Sequence, residues 1–453
     1  MNEKKLKSLR KEIDLIDKKL LKVIIKRSSI VKKIGQLKDL SKGVVDKKRE
    51  NEVLNRLIKF HKGEYSKGSI IRLWREIFYS SAQLQLKKQN ALIPKRGVES
   101  IKVYKGGTAK IAGKENIIKL SSNESPFGPS KKAIEAYTRT ATMLSRYPEL
   151  TADSLELSIS KKFKINKDQI ICGTGSDEVL IFTALAFCSP GDEIIHAIHG
   201  FEMYPIITKY AGAESVLASE EDFKISIKSI LENIRSSTKI IFIANPNNPT
   251  GTYLNKKELF SLIKKVPKNI VVVIDTAYAE FADAQDYDYG FNLVDNFENV
   301  LITRTFSKAY SLAGIRLGWG YGSKKLINIL KRLRPPFNIT PGAIAAGIEA
   351  LKDKEHLQNV IVHNKKVKGW FISELNNIGL KAYDTQTNFV FVIVPEKNNL
   401  NALKVNEFLL SNGIAVRYLE SYGLKNAIRI TLGTKEELNK TLSTIKKLYK
   451  KND

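Results

Sequence analysis

The sequence predicts an α/β chain in which a purely helical segment precedes a larger region of alternating strands and helices. Three observations carry this. At 453 residues the chain is too long for one ordinary core. Its first stretch keeps apolar residues at helical spacing with lysines between them. Further on, apolar runs at residues 170–173, 240–244, 271–274 and 300–303 each end in a turn rich in glycine, asparagine or hydroxylic residues, the pattern of buried parallel strands.

From Leu6, the residues Leu9, Ile13, Ile16, Leu20, Val23, Ile24, Ile30 and Ile34 form one apolar stripe, so one long helix is expected there. A second begins after Asp46, a suitable N-cap, and runs to Phe60; a third spans about residues 69–88. Three helices cannot bury so long a stripe alone, and an intertwined homodimer is the expected solution. Residues 1–97 hold 27 Lys and Arg against 10 Asp and Glu, which places +17 of the chain's +28 in this segment. The lysines are scattered over solvent faces, so the charge is read as solvation, and no nucleic-acid partner is expected. No apolar run is long enough to span a bilayer, and the start of the chain lacks the apolar core of a signal peptide. The expectation is a cytoplasmic protein with no membrane partner. Cys172 and Cys188 lack the spacing of a zinc or redox motif and are read as small buried residues, with no metal site expected.

Certain polar residues stand out on the three helices: Arg10, Arg27, Lys38, Asp46, Arg49, Glu50, Ser81 and Gln85. The i, i+4 spacing of Ser81 and Gln85 puts both on one helix face. Together these positions resemble the all-helical chorismate mutases, with one residue apparently missing between Lys38 and Asp46. The resemblance implies a pocket in which Arg27 holds a carboxylate of chorismate, Lys38 and Gln85 donate to the ether oxygen, and Asp46, Arg49 and Glu50 fix the hydroxyl end. A pericyclic rearrangement needs no nucleophile, only a clamp on two carboxylates and donors for growing negative charge. Arg10 lies about 25 Å from Arg27 and about 40 Å from Lys38 along a continuous helix. It therefore cannot join their pocket in cis, and in the family it reaches into the partner's site.

The rest of the chain turns on residues 305–318, where Lys308 follows a strand, stands among Thr305, Ser307 and Ser311, and precedes Arg316. Such a lysine suits covalent capture of an aldehyde cofactor, with arginine and hydroxyls for its phosphate. Gly173-Thr174-Gly175-Ser176-Asp177, between a strand and a helix start, forms a backbone anion site. Asn245-Pro246-Asn247-Asn248-Pro249-Thr250-Gly251 closes one strand, and Asp275 closes the next, at the carboxyl end where open α/β sheets bind ligands. In this order, these motifs resemble the fold-type I aminotransferases that use pyridoxal 5'-phosphate, most closely the histidinol-phosphate aminotransferase branch.

The resemblance implies a role for each matched residue. Lys308 would hold the cofactor as a Schiff base. Ser176, Asp177, Thr305, Ser307 and Arg316 would surround its phosphate, with Tyr147 reaching across a dimer interface to the neighbour's phosphate. Phe201 would stack on the ring, Asp275 would pair with the ring nitrogen, and Asn248 and Tyr278 would meet the phenolate oxygen. Tyr104 and Asn123 would face the substrate, Arg429 would grip its α-carboxylate, and Arg417 its distal phosphate or carboxylate. His199 replaces a usual proline and Thr276 a usual glutamate; both are expected to be structural. A helix from Pro341 to about Phe371, then strands at 387–391 and 428–431, imply a smaller C-terminal α+β domain.

The expected organisation is a helical mutase domain at 1–92 and an aminotransferase at 97–453. The latter divides into an arm at about 97–135, a large, mainly parallel domain at about 136–340 and a small domain at about 341–453. The expected substrates are chorismate, a 2-oxo acid and an amino donor such as glutamate. The fusion favours an aromatic 2-oxo acid (prephenate, phenylpyruvate or 4-hydroxyphenylpyruvate) over histidinol phosphate.

Overall fold

The computed structural model describes residues 2–38, 46–85, 95, 97–103, 106–108, 114, 116–397 and 399–450. Helix α1 runs unbroken over Asn2–Leu37. Helix α2 covers Lys47–Phe60 and is capped by Asp46, whose carboxylate accepts from the Arg49 backbone N–H at 2.9 Å. Helix α3 covers Lys67–Gln85 and packs against both. The end expected for α3 falls outside the described residues. The apolar stripe of α1 is left largely uncovered: Leu9, Ile13, Ile16, Leu20 and Val23 are each at least half exposed. A stripe of that length on one chain is apolar surface that water disfavours.

The larger region is built on a seven-stranded sheet. Its spatial order is Ile170–Gly173, Gly318–Gly322, Val300–Thr305, Val271–Asp275, Thr238–Ala244, Glu193–Ala197 and Glu214–Ala218. Gly318–Gly322 runs antiparallel to both neighbours and the remaining pairs are parallel. The three central strands are buried on both faces, which is why they read as continuous Val/Ile runs. Val271, Val273 and Leu301 face one helical layer and Val272, Ile274 and Ile302 the other. Both cysteines are buried and free. Burial pushes the Cys188 thiol up to about 12, as expected of an inert packing residue.

The small domain has a four-stranded antiparallel sheet, ordered Lys381–Ala382, Phe389–Ile393, Ala427–Thr431 and Arg417–Tyr418. Two expectations change here. The helix expected from Pro341 to about Phe371 is two helices, Pro341–Lys352 and Lys354–Asn377, parted at Asp353, which caps the second through the His356 N–H. The first packs into the large core through Ile344, Ala346 and Ala350, so the small domain starts after it. Ile118–Lys119, expected in an N-terminal arm, pairs with Ile414–Ala415, and Leu120 lies in the small domain's core.

Helix α3 also docks on the large domain. Arg72 pairs with Asp192 at 3.0 Å and Arg75 with Glu214 at 3.6 Å, beside the edge strand Glu214–Ala218. Gly191, at φ 96°, is an intimate part of this contact, because a Cβ there would lie 3.3 Å from Arg72 Cα. Among the described residues no helix is long and apolar enough to cross a membrane, and no cluster of His, Cys, Asp and Glu could hold a metal ion.

This contact generates a prediction. Each pair joins a partly exposed side chain to a more buried one, and near-surface ion pairs contribute up to about 1 kcal/mol each, so the double variant Arg72→Ala/Arg75→Ala loosens α3 from the large domain. Limited proteolysis is expected to release the helical segment several-fold faster from the variant than from the parent. Equal cleavage rates would show that the docking is not held by these pairs.

Candidate active site

A cavity of about 320 Å³ opens at the carboxyl ends of the three central strands and is closed over by the small domain and by Gly106–Gly107. The sheet fixes its floor. Asp275 ends its strand, Asn248 follows the turn after Thr238–Ala244, and Lys308 follows Val300–Thr305. The small domain adds Arg417 and Arg429 on adjacent strands, directly paired in register. Asn123, Ser176, Asp177, Phe201, Tyr278, Thr305, Ser307 and Arg316 also line it, so most sequence-predicted aminotransferase residues converge on one space.

The electrostatics are those of a dry cleft. Lys308 Nζ donates to the Ser122 carbonyl at 3.1 Å and lies 5.7 Å from the Tyr278 ring centroid. Burial, helped by the Arg429 charge, lowers its amine to about 8. Asp275 is buried, and its oxygens accept from Tyr204 Oη at 3.1 Å and Thr303 Oγ1 at 3.0 Å. Burial, reinforced by the Asp177 charge, outweighs those two hydrogen bonds and raises its carboxyl to about 6. A carboxylate so placed is completed by a cation beside it.

The opposite wall supplies anion donors. Arg316, at φ 53°, directs Nη1 to Ser307 Oγ at 3.4 Å and Nη2 to Asp177 at 3.5 Å. Thr305 Oγ1 donates to Ser307 Oγ and accepts from the Ser307 N–H. The helix Ser176–Phe187 points its N-terminus at this corner. Gly175 has φ 88°, and a Cβ there would meet Arg316 Nη2 at 2.7 Å. Gly318 is equally forced, since its Cβ would overlap the Ser176 backbone nitrogen at 2.1 Å. The cradle is therefore open only to glycine.

On the substrate side, Arg429 donates to Asn248 Oδ1 and to the Ser121 carbonyl at 2.9 Å, and its guanidinium lies 5.2 Å from the Phe389 ring centroid. Its Nε is buried without a hydrogen-bond partner. With its oxygen on Arg429, Asn248 keeps its amide N–H groups for the cavity. Asn123, at φ 56°, donates to Tyr278 Oη at 2.8 Å, which orients the phenol. Arg417 pairs with Glu202 at 2.8 Å and donates to the Gly106 carbonyl at 2.9 Å.

Other predicted residues are placed elsewhere. Tyr147 is 82% exposed and stacks on Phe337 at 4.7 Å, outside its own chain's cavity. Tyr104 lies outside the described residues. His199 binds Glu220 at 2.8 Å and Thr276 donates to the Thr303 carbonyl; neither lines the cavity.

Between α1 and α3, Arg27 donates to Ser81 Oγ and lies over the Phe78 ring, and burial lowers its guanidinium. Gln85 packs on Gly35, with its Oε1 buried and without a hydrogen-bond partner. Arg10 and Lys38 are exposed at opposite ends of α1, and Glu50 is half-buried. Two of the expected pocket contacts differ. The Asp46 carboxylate is used as a helix cap, and Arg49 pairs with Glu52 at 3.4 Å in solvent.

Sequence reasoning did not single out Tyr204, Thr303 or Glu202. Thr303 carried a signal, because it shares a strand face with Thr305. Tyr204 and Glu202 flank the chosen Phe201 by a few residues, but their partners, 71 and 215 residues away, are contacts that only the fold makes.

With the geometry in place, comparison with known proteins agrees with it in family and in fold. The family model "Aminotransferase class I and II" matches residues 115–445, and "Chorismate mutase type II" matches residues 9–86. A histidinol-phosphate aminotransferase of Maricaulis maris is 38% identical over 360 residues, 80% of this chain and 99% of that protein. One from Nitrobacter winogradskyi is 40% identical, covering 76% and 94%. A solved histidinol-phosphate aminotransferase from Sinorhizobium meliloti, in complex with pyridoxal-5'-phosphate, shares the fold with a TM-score of 0.73 at 23% identity, over 81% of this chain and 99% of that one. The cradle at Gly175, the buried amine of Lys308 and the buried carboxylate of Asp275 fit that cofactor's phosphate, aldehyde and ring nitrogen. The chain belongs to the class I and II aminotransferases, takes pyridoxal 5'-phosphate as its cofactor, and carries a chorismate mutase type II domain ahead of its aminotransferase domain.

Proposed function

We propose that the chain is a bifunctional enzyme that rearranges chorismate to prephenate in its helical domain and transaminates an aromatic-pathway 2-oxo acid, with glutamate as a suitable donor, in the other. The observation that carries this reading is the joining of the two domains in one chain, docked through α3. A mutase product is itself a 2-oxo acid, the substrate class of the second site. A histidine-pathway reading is favoured by the names of the relatives, and there Arg417 would meet a phosphate.

In the aminotransferase, bound pyridoxal phosphate supplies an electron sink for the pair left when a substrate Cα–H bond breaks. The protein does the rest. Arg429 holds the α-carboxylate as a fork, with Asn248 as its brace. Asp275, kept in place by Tyr204 and Thr303, would hold the ring nitrogen and favour its protonated form. Lys308 moves the proton at Cα, and an amine lowered to about 8 exchanges a proton readily near neutral pH. Ser307, Thr305, Arg316 and the Ser176 and Asp177 N–H groups hold the phosphate, with Asp177 orienting Arg316. Phe201 would cover the cofactor ring, and Tyr278 and Asn248 would donate to its phenolate oxygen. Asn123 orients Tyr278, and Tyr104 and Arg417 serve the substrate's distal end.

In the mutase, Arg27, set by Ser81, holds one carboxylate, and Gln85 with Lys38 serves the ether oxygen. Glu50 serves the hydroxyl end. Asp46 and Arg49 support that end through the start of α2 rather than through the contacts first expected of them. The continuous α1 keeps Arg10 about 40 Å from Lys38, and its uncovered stripe fits a second copy. In that homodimer Arg10 enters the partner's pocket, and Tyr147 reaches the partner's phosphate site.

Three tests follow from this. A native carboxyl raised from 3.8 to about 6 means that Asp275 weakens the folded state increasingly as pH rises through that window. Without cofactor, Asp275→Asn should therefore be more stable than the parent at pH 8, by up to about 3 kcal/mol, with the gap closing below pH 4. Denaturant unfolding of the two apoproteins measures it, and equal stability at pH 8 would contradict it. Arg10→Ala and Lys38→Ala should each abolish most mutase turnover, while verified heterodimers of the two recover part of it; no recovery would place Arg10 in its own chain's site. For the substrate, kcat/KM for prephenate, phenylpyruvate and 4-hydroxyphenylpyruvate is compared with that for histidinol phosphate. At least one aromatic acid should lead, and a tenfold lead by histidinol phosphate, about 1.4 kcal/mol, would replace this reading with the histidine-pathway one.

A further inference from the structure

Glu202 follows Phe201 at the start of a helix and lines the cavity beside Arg417. Its Oε2 accepts from Arg417 Nη2 at 2.8 Å, and the two side chains are only 14% and 13% exposed. Nη1 of the same guanidinium donates to the Gly106 carbonyl at 2.9 Å. The distal cation of the substrate pocket is thus already matched by a carboxylate of its own chain, in a place where water screens poorly.

We propose that Glu202 sets the distal specificity of the substrate pocket by admitting neutral or singly charged groups and rejecting a phosphate monoester. The proposal rests on the aromatic-acid reading for the substrates that the pocket admits. A phosphate monoester brings a charge of about −1.5 to −2 near pH 7 and three acceptor oxygens. Seated on Arg417, it would stand against the Glu202 carboxylate, and one guanidinium would have to balance both. A carboxylate adds a single charge that the same guanidinium can share, and an uncharged ring adds none. Such a ring finds Tyr422 in the same lining and leaves the Glu202–Arg417 pair intact. Specificity of this kind comes from a repulsive element as much as from an attractive one.

The experiment measures kcat/KM for two amino donors, histidinol phosphate and phenylalanine, with 2-oxoglutarate as the common acceptor, in the parent enzyme and in Glu202→Gln, Glu202→Ala and Glu202→Asp. The reading of function is tested by the parent alone: if histidinol phosphate is its better donor, that reading fails. Glu202 is tested separately, by how the histidinol phosphate to phenylalanine ratio changes on substitution. The ratio should rise at least fivefold in whichever of the Gln and Ala variants folds, and should stay within twofold of the parent in Glu202→Asp, which keeps the charge. A smaller rise or a fall on removing the charge, or an equal rise in the Asp variant, would overturn the assignment.

Discussion

A carboxylate buried at the end of a central strand is the constraint around which the catalytic domain is arranged. Asp275 lies beneath the cavity with two hydroxyls donating to it, yet burial still drives its carboxyl up to about 6. An ionised group in such a place is unfavourable unless a cation stands beside it. The site is therefore incomplete by construction, and in the function proposed above the protonated nitrogen of the cofactor ring would complete it. Lys308 repeats this logic with opposite sign, as an amine that burial and Arg429 push toward its neutral form. Active sites commonly give up stability in this way for chemistry.

The arrangement above the floor follows from the sheet. Parallel strands place their carboxyl ends on one side, so Asn248, Asp275 and Lys308 arrive together although they are far apart in the chain. The small domain then closes over them, and Arg429 reaches across to Asn248 and Ser121. Because Ile118–Lys119 pairs with the small domain's own Ile414–Ala415, the segment that carries Ser121, Ser122 and Asn123 is held between the two domains. Substrate and cofactor contacts thus share one set of supports.

Much of this was legible in the sequence, because strands ending in Asn-Pro, Asp or Ser-Lys announce both fold and chemistry within a few residues. Asp46 as a helix cap was legible from its place just ahead of an amphipathic helix. What could not be read were contacts between distant elements. Tyr204 meets Asp275 and Glu202 meets Arg417 only once the sheet and small domain are assembled. The break at Asp353 was hidden because apolar spacing continues on both sides of it, while the two halves bury their faces in different cores. The mutase domain is the clearest case of partial legibility: its stripe of leucines and isoleucines was plain, but the chain alone leaves it facing solvent.

In the function proposed above, the two domains, docked through α3 onto the edge of the large sheet, would carry two successive steps in one chain. The most direct test supplies the protein with chorismate, glutamate and pyridoxal phosphate and follows chorismate loss against formation of a new aminated product. With prephenate itself as the acceptor, every chorismate consumed should yield one amino-acid product and one 2-oxoglutarate, and the Lys308→Ala protein should stop at prephenate; for phenylpyruvate or 4-hydroxyphenylpyruvate as acceptor the same balance requires an added enzyme that decarboxylates prephenate. Accumulation of prephenate by the unsubstituted enzyme, while it turns over histidinol phosphate, would contradict the two-step reading.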